Sequence, residues 1–346
     1  MLYDSSKRIV KIQLDCTLIT IEQKEVKQFM KSRAVFFLGN RKLELREIEV
    51  PDPEDDEIQV KTVVNGICMM EVWQYNLKDP NWKDALLPGH EGVGVVIKVG
   101  RKVATLKEGD YVWTGPSSWS EYLNLKEENA IKLNCSSENA KDYIIEPLSC
   151  AVTAAAYLNA YPGDRVILFG AGYMGLLLTQ LLARYPLSEL IVVDMKKGNL
   201  ELAKAYGATE TIHIGTPEAQ ERLAELEEKP FDITIEGSGA EQALTLCTKL
   251  ARSGGKLGIY AWHHDARTVD TSDWHWKGLQ VLNVAPGITS NDLPLRQFYA
   301  ANKLISSGIV NQADLFTHHY SLNDVERAMN ESTLRGDGFI KSLLVF

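Results

Sequence analysis

The run Arg165-Val166-Ile167-Leu168-Phe169-Gly170-Ala171-Gly172-Tyr173-Met174-Gly175 constrains the fold more than any other stretch of the chain. Its apolar first half reads as a buried strand, and the apolar residues after Gly175 read as a helix. The first glycine of such a turn permits the tight reversal, and the second lets a pyrophosphate approach the backbone. The third lets helix and sheet pack closely, while the helix N-terminus offers free N–H donors to phosphates. Three spaced glycines alone arise by chance. Here a strand precedes them, a helix follows, and Asp194 ends the next apolar strand nineteen residues beyond Gly175. The pattern predicts a dinucleotide site built from Gly170, Gly172, Tyr173, Met174, Gly175 and Asp194. A carboxylate at Asp194 bonds the ribose hydroxyls and repels a 2′-phosphate, which favours NAD. Lys196 and Lys197 just beyond keep NADP as the alternative, and the plain alternative for Asp194 is a solvated strand end.

The alternation continues. Helix is expected to about 185, then strand 190–194, helix 199–206, strand 211–214, helix 217–228, strand 231–235, helix 241–251 and strand 256–260. Such a series implies right-handed crossovers and a doubly wound parallel sheet. Upstream, short alternating runs at 32–37, 43–50 and 58–65 are separated by turn signals, and an antiparallel all-β region is expected to about 133. A helix over 141–158 is stopped by Tyr161-Pro162-Gly163-Asp164. The tail from 295 reads as helix, and its last nine residues as a strand returning to the first domain. At 346 residues the chain exceeds the usual single-core limit. We expect a β-rich domain from 30–158 with 299–346 and a nucleotide-binding domain from 159–298. Residues 1–29 are an extension of open role, either an added strand pair or an upstream translation start.

Composition narrows the partners. A net charge of −9 argues against nucleic acid, which calls for clustered Lys and Arg. No apolar stretch approaches a membrane span, and the N-terminus lacks the apolar core of an export signal. Five cysteines, at 16, 68, 135, 150 and 247, are odd in number and widely spread, which fits a reducing, cytoplasmic setting better than a disulfide framework.

Ahead of the glycine turn lie Cys68, His90 with Glu91 in Pro88-Gly89-His90-Glu91-Gly92-Val93-Gly94, and Glu146 in Ile144-Ile145-Glu146-Pro147-Leu148. A lone Cys in an apolar segment is ordinarily an inert buried thiol, and a lone loop His has an equally plain reading. Glu146 differs, since a carboxylate after two isoleucines in a buried helix start needs a partner or a cap. Together the three have the S, N and O donors that zinc accepts in a catalytic site with one position left for water or substrate.

These residues carry a family resemblance. Gly66-Ile67-Cys68, Gly89-His90-Glu91-Gly92-Val93-Gly94, Glu146-Pro147-Leu148, the glycine turn and Gly254-Gly255 before a strand resemble the zinc-dependent medium-chain dehydrogenase/reductase family. Its polyol and threonine dehydrogenase branch is nearest, because Glu146 stands where simple alcohol dehydrogenases have a second cysteine. The resemblance implies an α/β protein with a GroES-like β-rich catalytic domain, a Rossmann doubly wound parallel sheet, and a homodimer or homotetramer. It implies that Cys68, His90 and Glu146 hold the zinc, with Glu91 as a fourth exchangeable ligand or the base beside it. Three departures stand out. Between Gly109-Asp110-Tyr111-Val112 and Ser120-Glu121-Tyr122 there is no cysteine, so the structural-zinc lobe is missing. Met70 stands where the family has a hydroxyl that relays the alcohol proton. Glu71 replaces the Asp that orients the ligand histidine.

The expected activity is NAD-dependent oxidation of a secondary alcohol in a polyol or sugar-like molecule, with one catalytic zinc. The rivals are a zinc-independent NADPH-dependent carbonyl or quinone reductase of the same fold, and a nucleotide-binding protein whose catalysis has lapsed. Trp262-His263-His264-Asp265 and Trp274-His275-Trp276 are read as crevice aromatics or packing contacts, Trp73 and Tyr75 as substrate contacts or core, and His318-His319 as structural.

Overall fold

The computed structural model describes residues 9–14, 17–22, 29–285 and 295–346. Within the extension, β1 (Ile9–Leu14) and β2 (Thr17–Glu22) form an antiparallel pair; the rest of 1–28, including Cys16, lies outside the described residues. A second hairpin joins β3 (Phe29–Gly39) to β4 (Lys42–Pro51). Then follow β5 (Glu57–Gly66), α1 (Met69–Asn76), β6 (Gly92–Val99), β7 (Tyr111–Trp113), β8 (Tyr122–Lys126), β9 (Ile131–Lys132) and α2 (Ile145–Leu158).

Two of these differ from expectation. Helix α1 interrupts the region expected to be all β. Its Val72 and Tyr75 turn one buried face to the core, and Glu71 Oε2 accepts from the Cys68 amide at 3.0 Å, fixing the first turn. Helix α2 begins at Ile145 rather than at 141, because Pro147 is tolerated only in the first turn, where no intrahelical N–H partner is required.

The nucleotide half runs β10 (Arg165–Phe169), α3 (Tyr173–Leu182), β11 (Glu189–Asp194), α4 (Lys197–Ala205), β12 (Glu210–His213), α5 (Pro217–Glu227), β13 (Phe231–Glu236), α6 (Glu241–Leu250), β14 (Ala251–Ile259), α7 (Ser272–Lys277) and β15 (Gln280–Asn283). Its six strands are parallel in the order β12-β11-β10-β13-β14-β15. Strand order therefore reverses beside β10, and the crevice at this switch point opens where the glycine turn leaves the sheet. Strand β14 starts earlier than expected because Ala251 already pairs with Phe231 before a register shift.

The tail comprises α8 (Leu295–Ser306), β16 (Phe316–Ser321), α9 (Val325–Leu334) and β17 (Lys341–Val345). Strand β17 runs antiparallel to β5, with Leu343 opposite Gly66, so the chain end lies in the first sheet; β16, not anticipated, pairs beside it. That sheet has the order β16-β17-β5-β6-β7-β9, with β8 also on β5. One core joins the two sheets: Ile144, Leu148 and Leu158 pack in a single buried cluster with Leu168, Leu177 and Leu343. Among the described residues no helix is long and apolar enough to cross a membrane.

Candidate active site

Three separated segments converge on one half-buried point. Cys68 precedes the first turn of α1, His90 sits in the loop before β6, and Glu146 lies in the first turn of α2. The ligand atoms of Cys68, Glu71 and His90 lie within 4.8 Å of one another, as do those of His90, Glu91 and Glu146. His90 Nε2 is 3.9 Å from Glu146 Oε2.

Glu71 organises the group. Its Oε1 lies 2.6 Å from His90 Nδ1 and accepts from the Gly89 amide at 3.3 Å, while Oε2 holds the Cys68 amide. A carboxylate on Nδ1 makes that nitrogen a donor and turns Nε2 toward Glu146. The His90 carbonyl accepts from Trp113 Nε1 at 2.8 Å, which fixes the loop from behind.

The electrostatics favour a cation. Burial opposes protonation of His90, but Glu71, the Cys68 thiol and Glu146 outweigh it and hold the ring well above its usual pKa. Burial pushes the Glu146 carboxyl up to about 7, with His90 opposing and Glu91 adding to the rise. Burial, helped by Glu91, likewise raises the Cys68 thiol. Three carboxylates, Glu71, Glu91 and Glu146, are thus buried around one imidazole, with the Lys341 ammonium as counter-charge. A thiol, an imidazole nitrogen and a carboxylate that converge under such an excess of negative charge suit a divalent cation of zinc's preferences.

Glu91 is tied elsewhere as well. Its Oε2 lies 2.5 Å from Lys341 Nζ, and both side chains are almost fully buried. A Cβ on Gly66 would come within 1.9 Å of that Oε2, so a glycine there makes room for the carboxylate. Lys341 Nζ also stands 4.9 Å from the centre of the Tyr173 ring. Sequence reasoning missed Lys341, whose only signal was a charge opening an apolar strand. It also missed Cys150, one turn beyond Glu146 on α2, whose Sγ lies 3.7 Å from Glu146 Oε1.

At the nucleotide crevice, a Cβ on Gly175 would fall 2.0 Å from the Gly170 carbonyl, the close packing that the third glycine was expected to allow. The first intrahelical bond of the turn runs from Leu176 N to Gly172 O, leaving the amides of Tyr173, Met174 and Gly175 ahead of it at the helix start. The Tyr173 side chain is buried and donates to Gln312 Oε1 at 2.9 Å, so the Tyr173 phenol is turned into the core. The Met174 carbonyl accepts from Tyr260. Asp194 accepts from the Ala171 amide at 2.6 Å and from the Lys196 amide at 2.7 Å, linking the second strand to the glycine turn.

The other aromatic candidates separate. Tyr75 is core, 5.7 Å from the Phe37 ring, whereas Trp73 meets Trp262 across the crevice. Trp274 bonds Thr248 on α6 and packs against the sheet. His318 packs at a tilt against Phe339 near the tail.

A nucleotide-type parallel sheet whose crevice abuts a metal-competent β-rich unit defines the class, and comparison with known proteins makes it specific. The model of the alcohol dehydrogenase GroES-like domain matches residues 54–142, and that of the zinc-binding dehydrogenase matches residues 173–295. The chain is 30% identical over 336 residues to the probable D-xylulose reductase A of Aspergillus niger, covering 86% of this chain and 90% of that protein. It is 25% identical to the sorbitol dehydrogenase of Bacillus subtilis, covering 87% and 93%. In fold it is similar to the crystal structure of L-idonate 5-dehydrogenase from Escherichia coli, with a TM-score of 0.80, 19% identity and coverage of 92% and 99%. The chain belongs to the zinc-type medium-chain dehydrogenase/reductase family of the alcohol dehydrogenase superfamily.

Proposed function

We propose that this protein is a zinc-dependent dehydrogenase that oxidises a secondary alcohol of a polyol or sugar-like substrate with NAD. The observation that carries the reading is the convergence of Cys68, His90 and Glu146 from three segments beside the nucleotide crevice. The sugar-alcohol names among its relatives support the substrate class. Cys68, His90 and Glu146 would hold one zinc, with Glu91 within reach of the same point. The bound groups supply Lewis acidity toward the alcohol oxygen and a hydride acceptor in the nicotinamide ring.

The chain supplies orientation, charge and a proton route. Glu71 holds the His90 ring with Nε2 forward. Met70 has no exchangeable proton, so Glu91 is the carboxylate left to take the proton of the alcohol. Asp194 is the ribose partner. NAD over NADP rests on the negative charge of Asp194 at that strand end; the neighbouring Lys196 Nζ donates to the carbonyls of Arg335 and Gly336, at 2.9 and 3.1 Å. We read residues 30–158 with 299–346 as the catalytic domain and 159–298 as the cofactor domain of a cytoplasmic homodimer or homotetramer.

The test is oxidation of a polyol panel with NAD before and after chelation. Turnover that chelation abolishes and zinc restores is expected; turnover indifferent to chelation would contradict the reading.

A further inference from the structure

Residues 262–264 follow β14 at the crevice and turn alternately. Trp262 and His264 face α1, where the Trp73 ring centre lies 5.4 Å from that of Trp262 and 6.4 Å from that of His264; Trp262 and His264 are 5.4 Å apart. His263 points the other way, with Nε2 2.8 Å from Glu236 Oε2 at the end of β13. Glu236 is fully buried, and its other oxygen accepts from the amides of Ser238 and Gly239 and from Ser238 Oγ, at 2.7 to 2.8 Å. One side chain thus pegs the segment to the nucleotide sheet, while its two neighbours reach across to the helix that Cys68 begins.

The cluster is not a closed core. Trp262 remains 51% exposed, and Met69 and Met70, on the turn next to Cys68, remain 38% and 37% exposed. Apolar surface left open in this way beside a site of charged ligand atoms marks a place where something apolar is received. An indole face offers a flat apolar area at low conformational cost. The C–H face of an extended carbon chain has the matching shape, while its hydroxyls stay with the polar side of the crevice.

We propose that Trp262, buttressed by Trp73 and His264, is the wall against which the non-reacting carbons of the substrate pack, and that it sets the preference for chain length. His263 is a positioning residue that acts through Trp262. The proposal rests on the alcohol-oxidation reading above and adds the specificity determinant to it.

The test pairs turnover with a binding readout on the full-length zinc-loaded protein. For wild type and Trp262→Ala, kcat/KM is compared between a four-carbon vicinal diol and six-carbon polyols. The exposed position of Trp262 leaves Trp262→Ala folded. Losing a wall contact should cost the six-carbon substrates roughly tenfold, mostly in KM, and the diol less than about threefold. His263→Leu should shift the same ratio, and His263→Gln, which still donates to Glu236, should restore it. In parallel, intrinsic tryptophan fluorescence is titrated with a six-carbon polyol in the presence of NADH. A saturable change present in wild type and lost in Trp262→Phe supports the wall even without turnover, in which case only the oxidation reading fails. Equal losses for both substrate lengths, or no polyol-dependent fluorescence change in a wild type that turns over, would overturn the wall and leave the oxidation reading standing.

Discussion

Glu71 Oε1 lies 2.6 Å from His90 Nδ1, and the same carboxylate holds the Cys68 amide through its other oxygen. One buried side chain thereby sets both the start of α1 and the orientation of the imidazole, two features on which a metal at Cys68 and His90 depends. Glu71→Gln keeps the shape but weakens the acceptor on Nδ1. The variant is expected to fold normally and to bind zinc 10- to 100-fold more weakly, the usual scale for such a partner. Competition with a chromogenic chelator measures this, and unchanged affinity would remove Glu71 from the account.

The pair Glu91 and Lys341 separates stability from chemistry. Both side chains are buried, so Lys341→Met strands a carboxylate and should destabilise the protein by about 3–5 kcal/mol. Adding Glu91→Gln removes the stranded charge and should recover most of that loss in a denaturation experiment. Turnover should not recover. Glu91→Gln alone should retain zinc and lose roughly a hundredfold in kcat, the scale of a lost proton-transfer group. Near-normal turnover by that variant across the neutral range would assign the proton to another path.

Much of this was legible in the sequence. Its local signals lie within a few residues: the glycine turn and alternating apolar runs gave the parallel sheet, and glycine and proline flanks drew attention to His90 and Glu146. What was illegible depends on distant contacts. Lys341 meets Glu91 across some 250 positions because β17 pairs with β5, and no local period announces that. The start of α2 was misplaced because an Ala- and Leu-rich run outweighed the meaning of Pro147. Helix α1 was absorbed into a β region because its eight residues are too few to show a helical period.

Asp194 is held by the Ala171 and Lys196 amides, with its carboxylate at the end of the second strand beside the glycine turn. Asp194→Ala should lower kcat/KM with NAD and bring the NAD to NADP ratio down by about tenfold or more, as repulsion of the 2′-phosphate disappears. Steady-state kinetics with both nucleotides decides it. A ratio that does not move would mean that selection lies elsewhere.

Acid should act through the β3 edge. Glu121 accepts from Arg33 Nε and Nη2 at 3.0 and 2.7 Å, and from the Arg33 amide at 2.9 Å. These bonds, the Arg33 side chain foremost, outweigh burial and lower the Glu121 pKa. A carboxyl whose folded pKa lies below its unfolded value of about 4.3 stabilises the fold above that value and ceases to do so as pH falls through the folded one. Arg33 is 47% exposed, which limits the contribution to about 1 kcal/mol or less. The stability gap between wild type and Glu121→Gln in urea should therefore be present at neutral pH and shrink as pH falls below the unfolded value and through the lower folded one. A gap that persists in acid would point to packing rather than charge.

The central claim is that Cys68, His90 and Glu146 hold one zinc on which alcohol oxidation depends. Elemental analysis of purified wild type and Cys68→Ala, with NAD-dependent polyol oxidation assayed on the same samples, tests it most directly. One zinc per chain and turnover in wild type, with both lost in Cys68→Ala, is the expected result. Two zincs per chain, or a metal-replete and active Cys68→Ala, would contradict it.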